Sequence, residues 1–180
     1  MYNIGYWAWE LSNVPNRFQV SVCMVNEIWA ISNFVADAYR GFTNKPVFTM
    51  PLAVHIPDFK REYNKSFFNL DKKCFHFLFV FDSSSYIERK NPLACIESFK
   101  LAFPDKSKKV RLVLKTMNCR DTKHWSRVLK EANNDKRIII IDDNIPRDDV
   151  LGLIYVCDSF ISLHRSEGFG RCIAESMLLG

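Results

Sequence analysis

From Lys73 to the last residue, short apolar runs alternate with segments of helical periodicity, and this alternation restricts the fold more than any other feature of the chain. Phe75–Phe81 reads FHFLFVF, an apolar run of the kind expected of a strand covered on both faces. The segment NPLACIESFKLAF then predicts a helix, with Asn91 as cap, Pro92 at its first position and apolar residues at Leu93, Ile96, Phe99, Leu101 and Phe103. Val110–Lys115 is a second strand. Asp121 or Thr122 caps the next helix, which turns Trp125, Val128 and Leu129 inward. Arg137–Asp142 is a third strand, dominated by β-branched residues. A helix over RDDVLGLIYVCD, a fourth strand over Ser159–His164 and a closing helix over GRCIAESMLLG complete the pattern. Strands separated by helices of this length imply right-handed βαβ units and a parallel, Rossmann-like sheet.

The first fifty residues form a different region. VNEIWAIS reads as one more buried strand, with a helix from Asn33 to about Tyr39. KPVFTMPLAVHIP runs extended, because Pro46, Pro51 and Pro57 forbid a helix, and it reads as a connector between two lobes. A lone strand and helix cannot bury their own faces, and a domain does not usually stop on an apolar helix. Both ends of the chain therefore read as cuts in a larger protein, and the piece is expected to have little activity by itself.

Composition narrows the class. At 48% hydrophobic residues the chain has material for a core, and its net charge of +5 is scattered rather than gathered in a block. A nucleic-acid surface is not indicated, and no stretch approaches the roughly 20 apolar residues of a membrane span. Cys23, Cys74, Cys95, Cys119, Cys157 and Cys172 are spread without a CxxC pair, mostly inside apolar runs. They read as reduced thiols in a cytoplasmic protein rather than as metal or redox ligands.

The segment SEGFGRCIAES, Ser166–Ser176, lies between an apolar strand and an apolar helix. Gly168 and Gly170 permit a tight turn and close backbone approach to a ligand. The helix that follows offers unpaired N–H groups and partial positive charge, which favour a phosphate or pyrophosphate. Glu167 and Glu175 are eight positions apart, about 12 Å if helical throughout. Carboxylates beside a diphosphate are suited to accepting hydrogen bonds from sugar hydroxyls: Glu175 from a ribose diol, Glu167 from a transferred sugar. A glycine turn before an ordinary helix with solvated acids accounts for the spacing equally well.

EGFGRCIAESMLLG resembles the glutamate–seven residues–glutamate motif of family 4 (group 1) glycosyltransferases, α/β proteins of the two-lobed GT-B type. FVFDSSSYIERKNPLACIESFKLAF is similar to that family's first donor-lobe strand, phosphate-binding loop and helix. NIGYWAWEL and EIWAISNFVADAY resemble the end of the acceptor lobe in one bacterial subgroup. The resemblance implies an incomplete GT-B, Rossmann-like parallel sheet with flanking helices. Residues 1–50 would be a remnant of the acceptor-side lobe, 51–72 the inter-lobe connector and 73–180 the truncated nucleotide-sugar-binding domain. It also implies retaining, hexosyltransferase-type transfer from a nucleoside diphosphate-sugar to an unidentified acceptor, with neither metal nor cofactor. Matched by motif, Glu167 contacts the donor sugar and Glu175 the ribose. Gly168, Phe169 and Gly170 supply backbone to diphosphate and sugar. Lys90 neutralises the diphosphate, stabilising the leaving group where charge develops. The loop near Ile145 meets the base.

One departure matters. Many members carry a glycine–arginine pair after the first strand, where this chain has Phe81-Asp82-Ser83. Arg89 is the candidate for the missing cation, with an outward orientation equally open, and Ser84 and Ser85 are candidate phosphate donors. Asp142, Asp143 and Asn144 read as turn and cap chemistry before metal binding. His164 reads as structural, and Trp7 with Trp9 as lobe packing more than a sugar platform. A non-catalytic Rossmann-like module for a nucleotide or phosphoryl ligand, or a GT-B nucleotide-sugar epimerase or hydrolase, remains as an alternative.

Overall fold

A computed structural model of the chain describes residues 1–119 and 122–180. Contacts divide it into two compact units: Met1–Val54 with Ser166–Arg171, and His55–Arg165 with Cys172–Gly180. No helix among the described residues is long and apolar enough to cross a membrane.

The first unit is a three-stranded parallel sheet in the order β1 (Ile4–Trp7), β2 (Glu27–Ala30), β3 (Val47–Thr49). Two helices, α1 (Gln19–Cys23) and α2 (Asn33–Arg40), interleave with the strands. The sequence pattern anticipates β2 and α2 and misses the other two strands. β1 alternates, burying Gly5 while Ile4 and Tyr6 face solvent, so it never appears as an apolar run. β3 lies between Pro46 and Pro51 in the stretch read as a connector. The prolines flank the strand rather than interrupt it, and the Pro46 carbonyl itself accepts the Ile28 N–H at 2.9 Å. One core gathers Ile28, Ala30, Val35, Ala36 and Tyr39. Ile4, Tyr6 and Phe48 remain exposed.

The second unit contains a four-stranded parallel sheet in the order β6-β5-β4-β7. Its elements are β4 (Phe75–Asp82), α3 (Ile87–Lys90), α4 (Pro92–Ala102), β5 (Val110–Met117), α5 (Lys123–Asn133), β6 (Ile138–Ile141), α6 (Arg147–Val156), β7 (Ser159–Phe160) and α7 (Arg171–Leu179). Alternate side chains of β4 enter two different cores. Phe79 and Phe81 join Cys95, Ile96, Phe99, Trp125 and Val128 from α4 and α5. Leu78 and Val80 join Leu151, Leu153 and Ile154 from α6. At about 1.5–3 kcal/mol for each fully buried large apolar side chain, these contacts dominate the unit's stability.

Several local expectations change. Thr122 caps α5, accepting the Trp125 N–H at 3.2 Å, while Asp121 lies outside the described residues. Asn91 occupies the cap position of α4 but does not cap it. Its backbone is left-handed at φ 57°, and its amide donates to the Leu163 carbonyl at 3.0 Å. Leu101 lies on the exposed side of α4. β7 covers two residues rather than six, because after the Ile161 N–H reaches the Leu78 carbonyl the chain leaves the ladder.

Much of 55–72 packs on the second unit. Tyr63 lays its ring over Gly152 of α6, where an added Cβ would come within 2.5 Å of it, and its hydroxyl donates to Asp149 at 2.6 Å. Burial, reinforced by the Asp149 carboxylate, pushes the Tyr63 hydroxyl up to about 12.

Beneath β6, buried Asp135 receives Nε and Nη2 of Arg137, the latter at 2.7 Å, and Arg137 Nη1 donates to the carbonyls of Phe103 and Asp105. The Arg137 hydrogen bonds hold the Asp135 carboxyl down to about 2 against the ordinary 3.8. A depressed carboxylate contributes its stabilisation above the unfolded value and loses it as pH falls through the folded one. Asp135→Asn, which leaves buried Arg137 without a counter-charge, is expected to cost about 3–5 kcal/mol in urea unfolding at neutral pH. The gap between variant and parent should narrow as pH falls from 3.8 toward about 2. A gap independent of pH would show that the pair is not the source.

Candidate functional site

The C-terminal ends of β4, β5 and β6 carry a connected set of polar side chains. After β4 the chain turns on Asp82, whose carboxylate accepts the Ser84 N–H at 2.8 Å and the Asn118 amide at 3.0 Å. Burial pushes the Asp82 carboxyl up, but these hydrogen bonds and the nearby charge of Lys90 outweigh it, and the group sits below its ordinary range. The residue standing where an arginine was expected therefore closes the loop.

The three serines that follow have different duties. Ser83 Oγ lies 3.1 Å from Thr116 Oγ1 and 3.1 Å from Cys119 Sγ. Ser84 is exposed, and Ser85 receives Nη2 of Arg89 at 2.9 Å. Arg89 is only 8% exposed, so its outward orientation is ruled out. Its own carbonyl accepts the Arg165 N–H. Lys90, next to it, is half-buried. A cavity of 350 Å³ opens beside this loop, lined by Ser83, Ser84, Ser85, Thr122 and His124 among others.

Two charged groups that sequence reading passed over become prominent. Lys115, read simply as the end of a strand, is 1% exposed and donates Nζ to the carbonyl of Asp143 at 2.7 Å and to that of Thr116. Burial pulls its pKa down, against the opposing pull of Asp142 and Asp143. The available signal was a lysine directly after the apolar run Leu112–Leu114. It fixes the loop after β6, in which Asp142, Asp143 and Asn144 are exposed and Ile145 is half-buried. Among the described residues, no three His, Cys, Asp or Glu side chains converge as a metal site would require.

Arg147, the first residue of α6, donates Nη2 to Oε1 of Glu175 at 2.6 Å. Glu175 is 1% exposed on α7. The 28 residues between them hide the pair from any local pattern.

The rest of the glycine motif belongs to the first unit. Ser166 donates to the Glu10 carbonyl, and Ser32 Oγ donates to the Gly168 carbonyl. Ser32 at the same time caps α2, accepting the Val35 N–H at 3.2 Å. Phe169 packs its ring against the core of the first unit, and Glu167 is half-buried. The two glycines answer different demands. A Cβ on Gly168 would stand 2.6 Å from the Trp9 carbonyl oxygen, so its backbone is already closely approached by protein. Gly170 takes φ 79°, a left-handed conformation costly for any other residue. The turn expected of these glycines is present at Gly170, whereas Gly168 is required by a protein neighbour.

The weaker candidates resolve as structural. His164 pairs with Ser162 Oγ at 3.0 Å and packs 5.1 Å from the Phe79 ring. Trp7 packs on Tyr39 and Trp9 on Phe18.

No protein-family profile and no curated protein matches this chain. Solved structures do. An α,α-trehalose-phosphate synthase (UDP-forming) from Burkholderia vietnamiensis superposes with a TM-score of 0.74 at 14% identity, over 96% of this chain and 48% of that one. A trehalose-6-phosphate structure from E. coli bound with UDP-2-fluoro glucose gives 0.67 at 9% identity, over 92% and 46%. WaaG, a glycosyltransferase involved in lipopolysaccharide biosynthesis, gives 0.64 at 14% identity, over 84% and 42%. At these identities the likeness establishes the fold: α/β of the GT-B glycosyltransferase type, with parallel sheets flanked by helices. The chain spans about half the length of the structures it matches.

The two glycines offer a direct check. Gly170→Ala is expected to cost about 1–2 kcal/mol, the strain of one left-handed residue. Gly168→Ala adds a clash with fixed backbone and is expected to cost about 1–3 kcal/mol. Thermal unfolding of both variants measures this, and an unchanged Gly168→Ala would refute the close approach of Trp9.

Proposed function

We propose that this chain is the donor-binding portion of a retaining family 4 (group 1) glycosyltransferase, of hexosyltransferase type, that uses a nucleoside diphosphate-sugar. The reading rests chiefly on one observation. The chain carries a glutamate motif resembling that of the family on a fold of GT-B type, and the second carboxylate of that motif, Glu175, is kept on α7 at 1% exposure. A buried carboxylate in an apolar helix is expensive to keep even when paired with Arg147, and a ligand with hydroxyl groups gives a reason to keep it. Support comes also from a structural neighbour that was bound to UDP-2-fluoro glucose.

In this reading Glu175 accepts the ribose hydroxyls and Glu167 those of the transferred sugar. Gly168, Phe169 and Gly170 offer backbone groups to diphosphate and sugar, and Ile145 lies beside the base. Lys90 faces the diphosphate, where a fixed cation offsets charge gained by the leaving group, so the reaction proceeds without metal or cofactor. Arg89, buried against Ser85, braces this loop from within. Residues 1–50, 51–72 and 73–180 correspond to acceptor-side remnant, connector and donor domain. The six free cysteines accord with a reducing cytoplasm.

Calorimetry with nucleoside diphosphates in the presence of a chelator tests the central claim. Binding is expected to persist, and Lys90→Ala to weaken it by about 1.5–3 kcal/mol, the scale of a charge-assisted hydrogen bond. Strict dependence on a divalent ion would shift attention to Asp142 and Asp143.

The two glutamates should differ. Glu175→Gln is expected to weaken free diphosphate and intact donor alike. Glu167→Gln is expected to spare the free diphosphate, which has no sugar to contact, and in the intact transferase to lower turnover. Loss of diphosphate binding in Glu167→Gln alone would reverse the two assignments.

A further inference from the structure

We infer that Arg147 is the positioning residue that sets Glu175 for a ribose diol, making the site selective for ribonucleotides over deoxyribonucleotides. This rests on the donor-site reading above and adds a residue that no motif supplies.

The terminal torsion of a glutamate is broad and roughly two-fold, so packing around its methylenes does not by itself fix the plane of the carboxylate. A vicinal diol presents two donors at a set separation, and a carboxylate answers both only in one orientation. Arg147 Nη2 donates to Oε1 of Glu175 at 2.6 Å, a charge-assisted bond that pins one carboxylate oxygen and narrows the rotation of the group. The arginine is anchored in turn. It opens α6, directly after Pro146 with φ −53°, and it follows a loop whose Asp143 carbonyl is gripped by buried Lys115. The grip on the loop and the grip on the carboxylate come from separate elements, β5 and α6.

A purely structural reading explains less. Packing alone would be served at least as well by an apolar residue at position 175, because replacing a buried ion pair by well-packed apolar side chains is often neutral or stabilising. Arg147 is half-exposed while its partner is sealed, with side-chain exposures of 50% and 1%. That asymmetry suits a clamp that reaches in from the surface and leaves the carboxylate as the buried group.

The test is equilibrium binding of UDP, dUDP, GDP and dGDP to the chain, to Arg147→Ala, Arg147→Lys and Glu175→Gln, and to the double variant. For the base that binds the parent, the ribonucleotide is expected to be favoured over its deoxy partner by about tenfold, one charge-assisted hydrogen bond. Arg147→Ala should remove most of that preference by weakening the ribonucleotide while leaving the deoxynucleotide nearly unchanged, and Arg147→Lys should restore part of it. In the Glu175→Gln background, Arg147→Ala should change the preference no further, the mark of two residues acting as one unit. A loss of stability alone would weaken both nucleotides together. Equal weakening of both, or an undiminished preference in Arg147→Ala, overturns the assignment of Arg147 while the donor-site reading stands. Failure of the parent to bind any nucleoside diphosphate, whatever its base, overturns the donor-site reading, and this assignment with it.

Discussion

A strand covered on both faces has nowhere to put an uncompensated charge, and the second unit is arranged around that limit. β4 and β5 run side by side in parallel register from Phe75 and Val110 to Asp82 and Met117, with one core on each side of the sheet. The titratable group deepest in β4 is His76, wholly buried, and burial pulls its pKa down so that the ring stays neutral. Toward the C-terminal ends charge is admitted where it finds partners, Lys115 with carbonyls and Asp82 with N–H donors. The loops that follow the strands at this edge carry those partners, and the carboxyl edge is where open parallel sheets bind ligands.

What sequence reading reached and missed follows the same physics. β4, β5 and the β6 run declare themselves because two-sided burial leaves a continuous apolar record. β1 and β3 are covered on one side, so Ile4, Tyr6 and Phe48 face outward and the record alternates too briefly to stand out. The glycine motif was visible as a motif, and the left-handed turn at Gly170 agrees with it. The reason for Gly168 was not visible, since its neighbour is a backbone carbonyl more than 150 positions away in the chain. Arg89 had no sequence signal for its orientation, which shows only in its burial and its hydrogen bond to Ser85. Arg147 and Lys115 act through partners 28 residues distant, beyond any periodicity.

The buried ions divide by position as well as by chemistry. Asp135 and Arg137 form a closed pair at the foot of β6, satisfied entirely by each other and by backbone carbonyls. At the opposite ends of the strands, Lys115 is bound to backbone and Glu175 to a half-exposed arginine. The first arrangement holds an edge of the sheet in place. The second keeps charge near a surface where a polar ligand would meet it, and the difference is one of access rather than of strength.

The hydroxyl of Ser32 constrains which sequences this fold tolerates. It accepts a hydrogen bond as the cap of α2 and donates one to the Gly168 carbonyl. Judged by helix capping alone, aspartate and asparagine would be fair substitutes, since both cap as well as serine does. Aspartate, however, would press a carboxylate against a carbonyl oxygen, and asparagine would have to serve with one short arm a donor and an acceptor that a single oxygen now serves. Threonine alone keeps both functions on one atom. The side chains that fit this position are therefore fewer than its place at a helix terminus implies, and a variant judged harmless by local propensity would act on the distant glycine loop.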